Sequence, residues 1–264
     1  MIFFWSVLIS GLSLFAGSGL ALGAALGLTG LLLLHFVAGG ITFVAVDAVW
    51  NVLNSFTLSA IPLFIILGEI MLRSEISKKI YLALSPLFQN ISGGLLHTNI
   101  AVCTLFGAVS GSSLSTAAAV GSVAYPEMTE RGYDRQMVVG SLAGGGTLGL
   151  LIPPSLSLLI YGALTETSIG RLFLAGILPG IILASMFMIY IYLRCRQNPL
   201  LAPRIESQLK ITLIIKNILA IWPFLIVVIA IMGSISFGIA TPTEAAGVGV
   251  IATIILGKFW GSLT

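Results

Sequence analysis

Apolar residues run through this chain in stretches too long for strands and too uniform for amphipathic helices, so the interruptions carry most of the information. Residues 2–34 are nearly continuous, and as one helix they would be about 50 Å long against a bilayer core of about 30 Å. Gly17-Ser18-Gly19 divides them into two expected spans, 2–16 and 20–36. Residues 37–54 hold Gly39, Gly40, Asp47, Trp50, Asn51 and Asn54 and predict a polar loop with an interfacial aromatic. A third span is expected over 55–72. Lys78-Lys79 then open a segment, 76–88, in which Ile80, Leu84, Leu87 and Phe88 recur at helical spacing. That pattern predicts an amphipathic helix lying along the membrane surface.

Two interruptions follow that hydrocarbon does not tolerate without compensation. Val109-Ser110-Gly111-Ser112-Ser113 separates 100–108 from 114–125, and Gly149-Leu150-Leu151-Ile152-Pro153-Pro154-Ser155 separates 137–148 from 156–161. Non-helical backbone at membrane depth persists only where it is buried in protein or lines a polar cavity. The plainer alternative is that Gly, Ser and Pro merely kink ordinary spanning helices, in which they are common. Length decides the topology of the first break. The limb 114–125 is about 18 Å long and cannot cross about 30 Å. Its flanks are basic on both sides, Lys78 and Lys79 before and Arg131 and Arg135 after, so a re-entrant helical hairpin is predicted. Residues 137–164 reach about 42 Å and must cross; they emerge at Thr165-Glu166-Thr167-Ser168.

Residues 172–193 read as a span with an internal Pro179, and 194–216 as a basic loop holding Arg194, Arg196, Arg204, Lys210 and Lys216. That loop is the strongest positive-inside signal. Working outward from it places the N-terminus, 37–54 and 165–170 outside, and 73–90 and 126–135 inside. Of the 12 Lys and Arg, only Arg171 then falls outside. Residues 217–237 cross outward. Thr241-Pro242-Thr243-Glu244 has the order of a capping box with Pro at the first helical position, opening a last span over 245–256.

Composition agrees with this pattern. The 264 residues are 58% hydrophobic and 8% charged, whereas a soluble domain carries roughly a quarter charged residues. The chain is an all-α polytopic membrane protein. No Lys, Arg, Asp or Glu occurs in 1–46, so no signal peptide with a charged n-region is expected. The net charge of +3 resides between apolar runs and not along one stripe, which excludes a nucleic-acid footprint. Cys103 and Cys195 stand apart from each other and from any ligand pattern, as apolar filler does.

The two breaks are the leading candidate for chemistry. Carbonyls freed at Ser110, Ser113, Gly149, Ile152 and Pro154, with serine hydroxyls, would make an oxygen cage for a hard monovalent cation, and the N-terminus of the helix after the serines would favour an anion. A rival reading is an intramembrane serine hydrolase pairing Ser110 with His97 beside a glycine-rich loop; against it, Ala108 stands where a G-x-S-G signature has glycine. Glu69 reads either as a coupling carboxylate or as the partner of Arg73, four residues on. Glu244 reads as a helix cap.

Several stretches in order then carry a resemblance: Ile61-Pro-Leu-Phe-Ile-Ile-Leu-Gly-Glu69; Phe106-Gly-Ala-Val-Ser-Gly-Ser-Ser113 with Ala117-Ala-Ala-Val-Gly121; Pro126-Glu-Met128 with Gly132-Tyr133; Leu148-Gly-Leu-Leu-Ile-Pro-Pro-Ser155 with Tyr161-Gly162; Ser168-Ile-Gly170 with Leu172-Phe-Leu-Ala-Gly176 and Pro179-Gly180; and Ala240-Thr-Pro-Thr-Glu-Ala-Ala246. Over nearly its whole length the chain resembles the large membrane (permease) subunit of tripartite ATP-independent periplasmic (TRAP) transporters. The resemblance implies an ion-transporter-superfamily elevator fold in the bacterial inner membrane that imports small organic acid anions, C4-dicarboxylates or sialic-acid-like compounds, with sodium as coupling ion and no cofactor. It also implies two partners, a periplasmic substrate-binding protein and a small four-helix membrane subunit. Residue by residue, the implied sodium ligands are Ser110, Ser113, Gly149, Ile152 and Pro154, and the implied substrate contacts Gly111, Ser112, Thr116, Pro153 and Ser155.

The resulting division is scaffold spans over 1–72, an interfacial helix over 73–90, and half of a transport domain over 91–170, comprising hairpin 91–125 and broken helix 136–164. A span and basic loop over 171–216 follow, then the first two spans of a second repeat over 217–264. The family is an inverted repeat with a second hairpin and a second broken helix, so a missing second half, supplied by a longer or a separate chain, is expected as a further partner; a non-functional truncated permease is the other reading.

Overall fold

A computed structural model describes residues 1–203, 217 and 219–262. All regular structure among them is helical, and the chain divides into two units, 1–55 and 56–264, each with its own packing.

In the first unit α1 (Ile2–Gly17) and α2 (Leu22–Phe36) pair across Gly11, where an added methyl would lie 3.1 Å from the Thr29 side chain. Gly19, at φ 79°, turns the chain between them. At about 24 and 22 Å, both helices are shorter than the hydrocarbon core. The expected loop 37–54 is mostly a third helix, α3 (Phe43–Leu53). Asp47 and Asn51 lie four residues apart, so they share one face of a turn and do not break it.

The second unit begins with a 3-10 turn (Phe56–Ser59) leading into α4 (Ala60–Arg73), followed by α5 (Ile76–Phe88), α6 (Leu95–Ser110), α7 (Ser113–Glu130), α8 (Arg135–Leu151), α9 (Leu156–Leu164) and α10 (Ile169–Gln197). Then come a 3-10 turn (Pro199–Leu201), α11 (Trp222–Ser236) and α12 (Pro242–Phe259). Among the described residues four stretches are long and apolar enough to cross a membrane: Phe56–Arg73, Arg135–Leu164, Ile169–Gln197 and Pro242–Phe259.

Several boundaries differ from the sequence expectation. Helix α7 runs 18 residues with Pro126 inside it, about 27 Å, so the second limb of the hairpin is longer than the 12 residues that argued for re-entry. The helix before the second break continues through Leu151, and only Ile152–Ser155 is unwound. Arg194 and Arg196 belong to the last turn of α10, where cations complement the helix dipole, and not to a loop. Of the remaining basic residues of that segment, Arg204, Lys210 and Lys216 lie outside the described residues. Helix α5 has the predicted bounds but is not a surface helix on its apolar side: Ile76, Ile80, Tyr81 and Leu84 are buried against its neighbours.

Three hydrogen bonds show how two pairs of helices run relative to each other. Thr243 Oγ1 donates to Phe56 O at 3.0 Å, and Ser262 N–H donates to Ser74 O at 3.0 Å, so α4 and α12 lie side by side and parallel. Leu95 N–H donates to Tyr133 Oη at 3.2 Å, joining the start of α6 to the loop after α7, as an antiparallel hairpin requires. Burial holds the Tyr133 phenol above its usual range, so it stays neutral there, although the Leu95 bond pulls the other way.

Candidate functional site

The two breaks meet. Gly111 ends α6 with φ 58°, a left-handed conformation that glycine takes without steric cost, and its N–H caps Gly107 O at 2.9 Å. Its carbonyl accepts the Leu156 N–H at 3.4 Å, a backbone hydrogen bond from the second break to the first. A methyl on Gly111 would sit 3.1 Å from both Leu156 N and Pro154 O. Each break also starts a helix: Ser112 caps α7 by accepting the Ser115 N–H, and Ser155 caps α9 by accepting the Leu158 N–H. Ser155 Oγ donates to Leu150 O, taking up a carbonyl at the end of α8.

Beside this junction α6, α7 and α8 come into backbone contact. A methyl on Gly107 would lie 2.7 Å from Gly149 Cα, closer than real packing permits, so only glycine fits at this crossing. Gly149 in turn faces Thr116 Oγ1 and Ser112 O, which would stand 2.8 and 3.1 Å from an added methyl. The Ser110 and Thr116 hydroxyls are 2.7 Å apart and hydrogen-bonded, and both residues are buried. Gly68 of α4 backs onto Ser110, with 3.1 Å from an added methyl to Ser110 Cα. The result is a cluster of uncharged oxygens, Ser110 Oγ, Thr116 Oγ1 and Ser112 O, in a segment with no Asp, Glu, Lys or Arg between 80 and 126. Uncharged oxygens and two helix N-termini suit a monovalent cation and an organic anion better than a divalent metal.

Among the sequence-predicted residues, Ser110, Ser112, Thr116 and Gly149 share this cluster, and Gly111, Pro154 and Ser155 share the backbone junction. Ser113 lies one turn along, its carbonyl 3.1 Å from where a Gly146 methyl would be. Ile152 and Pro153 turn their side chains onto Gly180 and Gly176 of α10. Gly107 and Gly68 were missed by sequence reasoning. The readable signal was the recurrence of glycine at 145, 146 and 149 on one helix, matched by Gly107 one turn before Ser110.

The hydrolase arrangement does not form. Ser110 and His97 lie at opposite ends of α6, thirteen positions and so about 20 Å apart, and His97 Nε2 bonds Ser92 O at 2.9 Å. Glu69 pairs with Arg73 at 2.7 Å on an exposed face, as the four-residue spacing predicts. Glu244 completes a capping box, its Oε2 accepting the Thr241 N–H at 2.8 Å.

A protein-family model described as the tripartite ATP-independent periplasmic transporter, DctM component, matches residues 9–263. The chain is 37% identical over 236 residues to the C4-dicarboxylate TRAP transporter large permease protein DctM of Pseudomonas aeruginosa, covering 89% of this chain and 54% of that one. It is 39% identical over 202 residues to the ectoine TRAP transporter large permease protein TeaC of Halomonas elongata, covering 76% and 46%. It is 33% identical over 219 residues to the sialic acid TRAP transporter large permease protein SiaM of Vibrio cholerae, covering 83% and 50%. The chain thus spans about half the length of these curated relatives.

Proposed function

Because the chain belongs to the DctM component family of tripartite ATP-independent periplasmic transporters, a family of multi-pass membrane permeases, we propose that it is the part of a large permease subunit that carries a sodium-coupled uptake site for a small organic anion. The relatives that support this reading are named for transport and none of the three for catalysis. The observation that carries it is the junction of the two breaks: an uncharged oxygen cluster at Ser110, Ser112 and Thr116, packed on Gly149 and tied to the second break by the Leu156–Gly111 hydrogen bond. Carbonyls and hydroxyls of unwound backbone are what a membrane site offers sodium, and half-helix N-termini are what it offers a carboxylate.

On this proposal sodium is held by Ser110, Ser113, Gly149, Ile152 and Pro154. The substrate, a C4-dicarboxylate or a sialic-acid-like anion, meets Gly111, Ser112, Thr116, Pro153 and Ser155. The hairpin α6–α7 re-enters from the cytoplasmic side and moves with α8–α9 as one block in an elevator cycle. A periplasmic binding protein delivers the substrate, a small four-helix membrane subunit completes the complex, and a second half of the permease, in the same or another chain, closes the site from the opposite side of the inner membrane. A midplane site between repeats needs both halves.

The test is uptake into proteoliposomes holding the complete permease with its binding protein and small subunit. Replacing external sodium by choline should abolish uptake, and Ser110→Ala combined with Ser113→Ala should weaken sodium dependence far more than protein yield. Uptake unchanged in choline would refute the coupling. Labelling of Ser110 by a fluorophosphonate probe would favour the hydrolase reading instead.

A further inference from the structure

A cavity lies at the other end of the hairpin unit, away from the two breaks. It has a volume of about 470 Å³ and is formed by α8, α10 and the 3-10 turn after α10, within the size range of sites that hold small molecules. Its lining is graded. At one end stand Asp134, Gln136 and Arg194; about two helical turns along stand Gly144 and Phe187, with Gly140 and Met137 between them. From Arg194 to Phe187 the groove runs about 10 Å along α10. The Asp134 N–H donates to Leu201 O at 3.0 Å, closing the polar end. Positive-inside asymmetry assigns that end to the cytoplasmic face.

The two charges in this lining are opposite and do not neutralise each other. Among the described residues no ion pair joins Asp134 to Arg194, while Arg73, Lys78 and Arg131 each pair with a carboxylate on their own helix or turn. One Asp134 oxygen accepts the Met137 N–H at 2.9 Å, which leaves the other free for a donor. Arg194 offers a cation that a phosphate accepts through charge-assisted hydrogen bonds, which a lysine would also supply. Tyr190 on the outer wall is 57% exposed, so the groove opens to the side of the bundle.

We propose that this groove is a phospholipid site that selects a zwitterionic headgroup, with the phosphodiester on Arg194, the ammonium on Asp134, and one acyl chain lying along Gly140, Gly144 and Phe187. Charge complementarity commits the site to a headgroup bearing both signs, and the apolar end commits it to a lipid over a free phosphate. A groove recognising only anionic lipid would gather several cations and no acid. Gly140 keeps the floor open, since nothing lies within 4 Å of a methyl added there, while Gly144 seats the Phe187 ring, 3.5 Å from where its own methyl would be.

The experiment is native mass spectrometry of the complete permease complex, delipidated in detergent and then incubated with phosphatidylethanolamine, phosphatidylglycerol or inorganic phosphate. Phosphatidylethanolamine should be retained at least tenfold more than phosphatidylglycerol. Arg194→Gln and Gly140→Phe should each reduce retention about tenfold or more, Arg194→Lys should stay within about threefold of the native protein, and Asp134→Asn should abolish the preference for the ethanolamine lipid. Equal retention in native protein and Arg194→Gln, a preference for phosphatidylglycerol, displacement of the lipid by inorganic phosphate, or equal losses in Arg194→Lys and Arg194→Gln would each overturn the assignment.

Discussion

Replacing Gly111 by alanine tests whether the junction of the two breaks holds the site together. Two costs add. At φ 58° a residue with a Cβ meets its own carbonyl, a penalty of about 1 kcal/mol. The new methyl also lies 3.1 Å from Leu156 N and from Pro154 O, both backbone atoms that cannot swing aside, and such overpacking costs about 1–3 kcal/mol. No helix-propensity gain offsets these terms, because Gly111 is not within a helix. The sum, about 2–4 kcal/mol, corresponds to a fall in melting temperature of roughly 2–5 °C for a permease about twice the length of this chain. The assay is thermal unfolding of the complete permease in detergent, followed by tryptophan fluorescence. Gly111→Asn should lose less, since asparagine tolerates the left-handed region while keeping the crowding. Gly247→Ala is the control: it makes the same chemical change inside α12, where nothing lies within 4 Å, and should be neutral or stabilising by up to about 1 kcal/mol. Equal melting temperatures for Gly111→Ala and Gly247→Ala would refute the claim that the breaks are locked together through backbone.

In a background lacking Cys103 and Cys195, single cysteines at positions 79 and 131 should resist an impermeant thiol reagent in intact cells, while one at 167 should react; labelling of 131 from outside would mean that α6 and α7 both cross. Ser141→Ala removes the hydroxyl that accepts the buried Asn99 Nδ2 at 2.9 Å, leaving the amide only Met128 sulfur, and should cost about 1–3 kcal/mol. The double change Asn99→Leu with Ser141→Ala should recover part of that loss, and no difference in melting between single and double variants would defeat the assignment of the pair.

What the sequence by itself determined was local. Gly, Ser and Pro stop helices through their own backbone chemistry, so the breaks at 110–113 and near 152–155, the amphipathic bounds of α5 and the Thr241–Glu244 capping box could be read from neighbouring residues. The pairing of Glu69 with Arg73 followed from their spacing on one turn. Membership of a membrane class followed from composition, because nothing else accounts for so few charges in 264 residues.

What only the tertiary structure decided was which of these local features meet. Leu156 finds Gly111 across 45 positions of chain and Ser110 finds Thr116 with no periodic trace in the sequence, and Gly107 finds Gly149, where the recurrent glycines mark the helix but not its partner. Packing also overrode local signals. Pro126 and Pro179 stay inside helices, and the polar residues of 43–53 line up on a turn. The apolar face of α5 is covered by its neighbours instead of by lipid. The physical reason is the same in each case. A residue type sets the cost of a conformation at its own position, whereas the partner that offsets that cost is chosen by long-range packing, where glycine's missing side chain is read as space for another backbone.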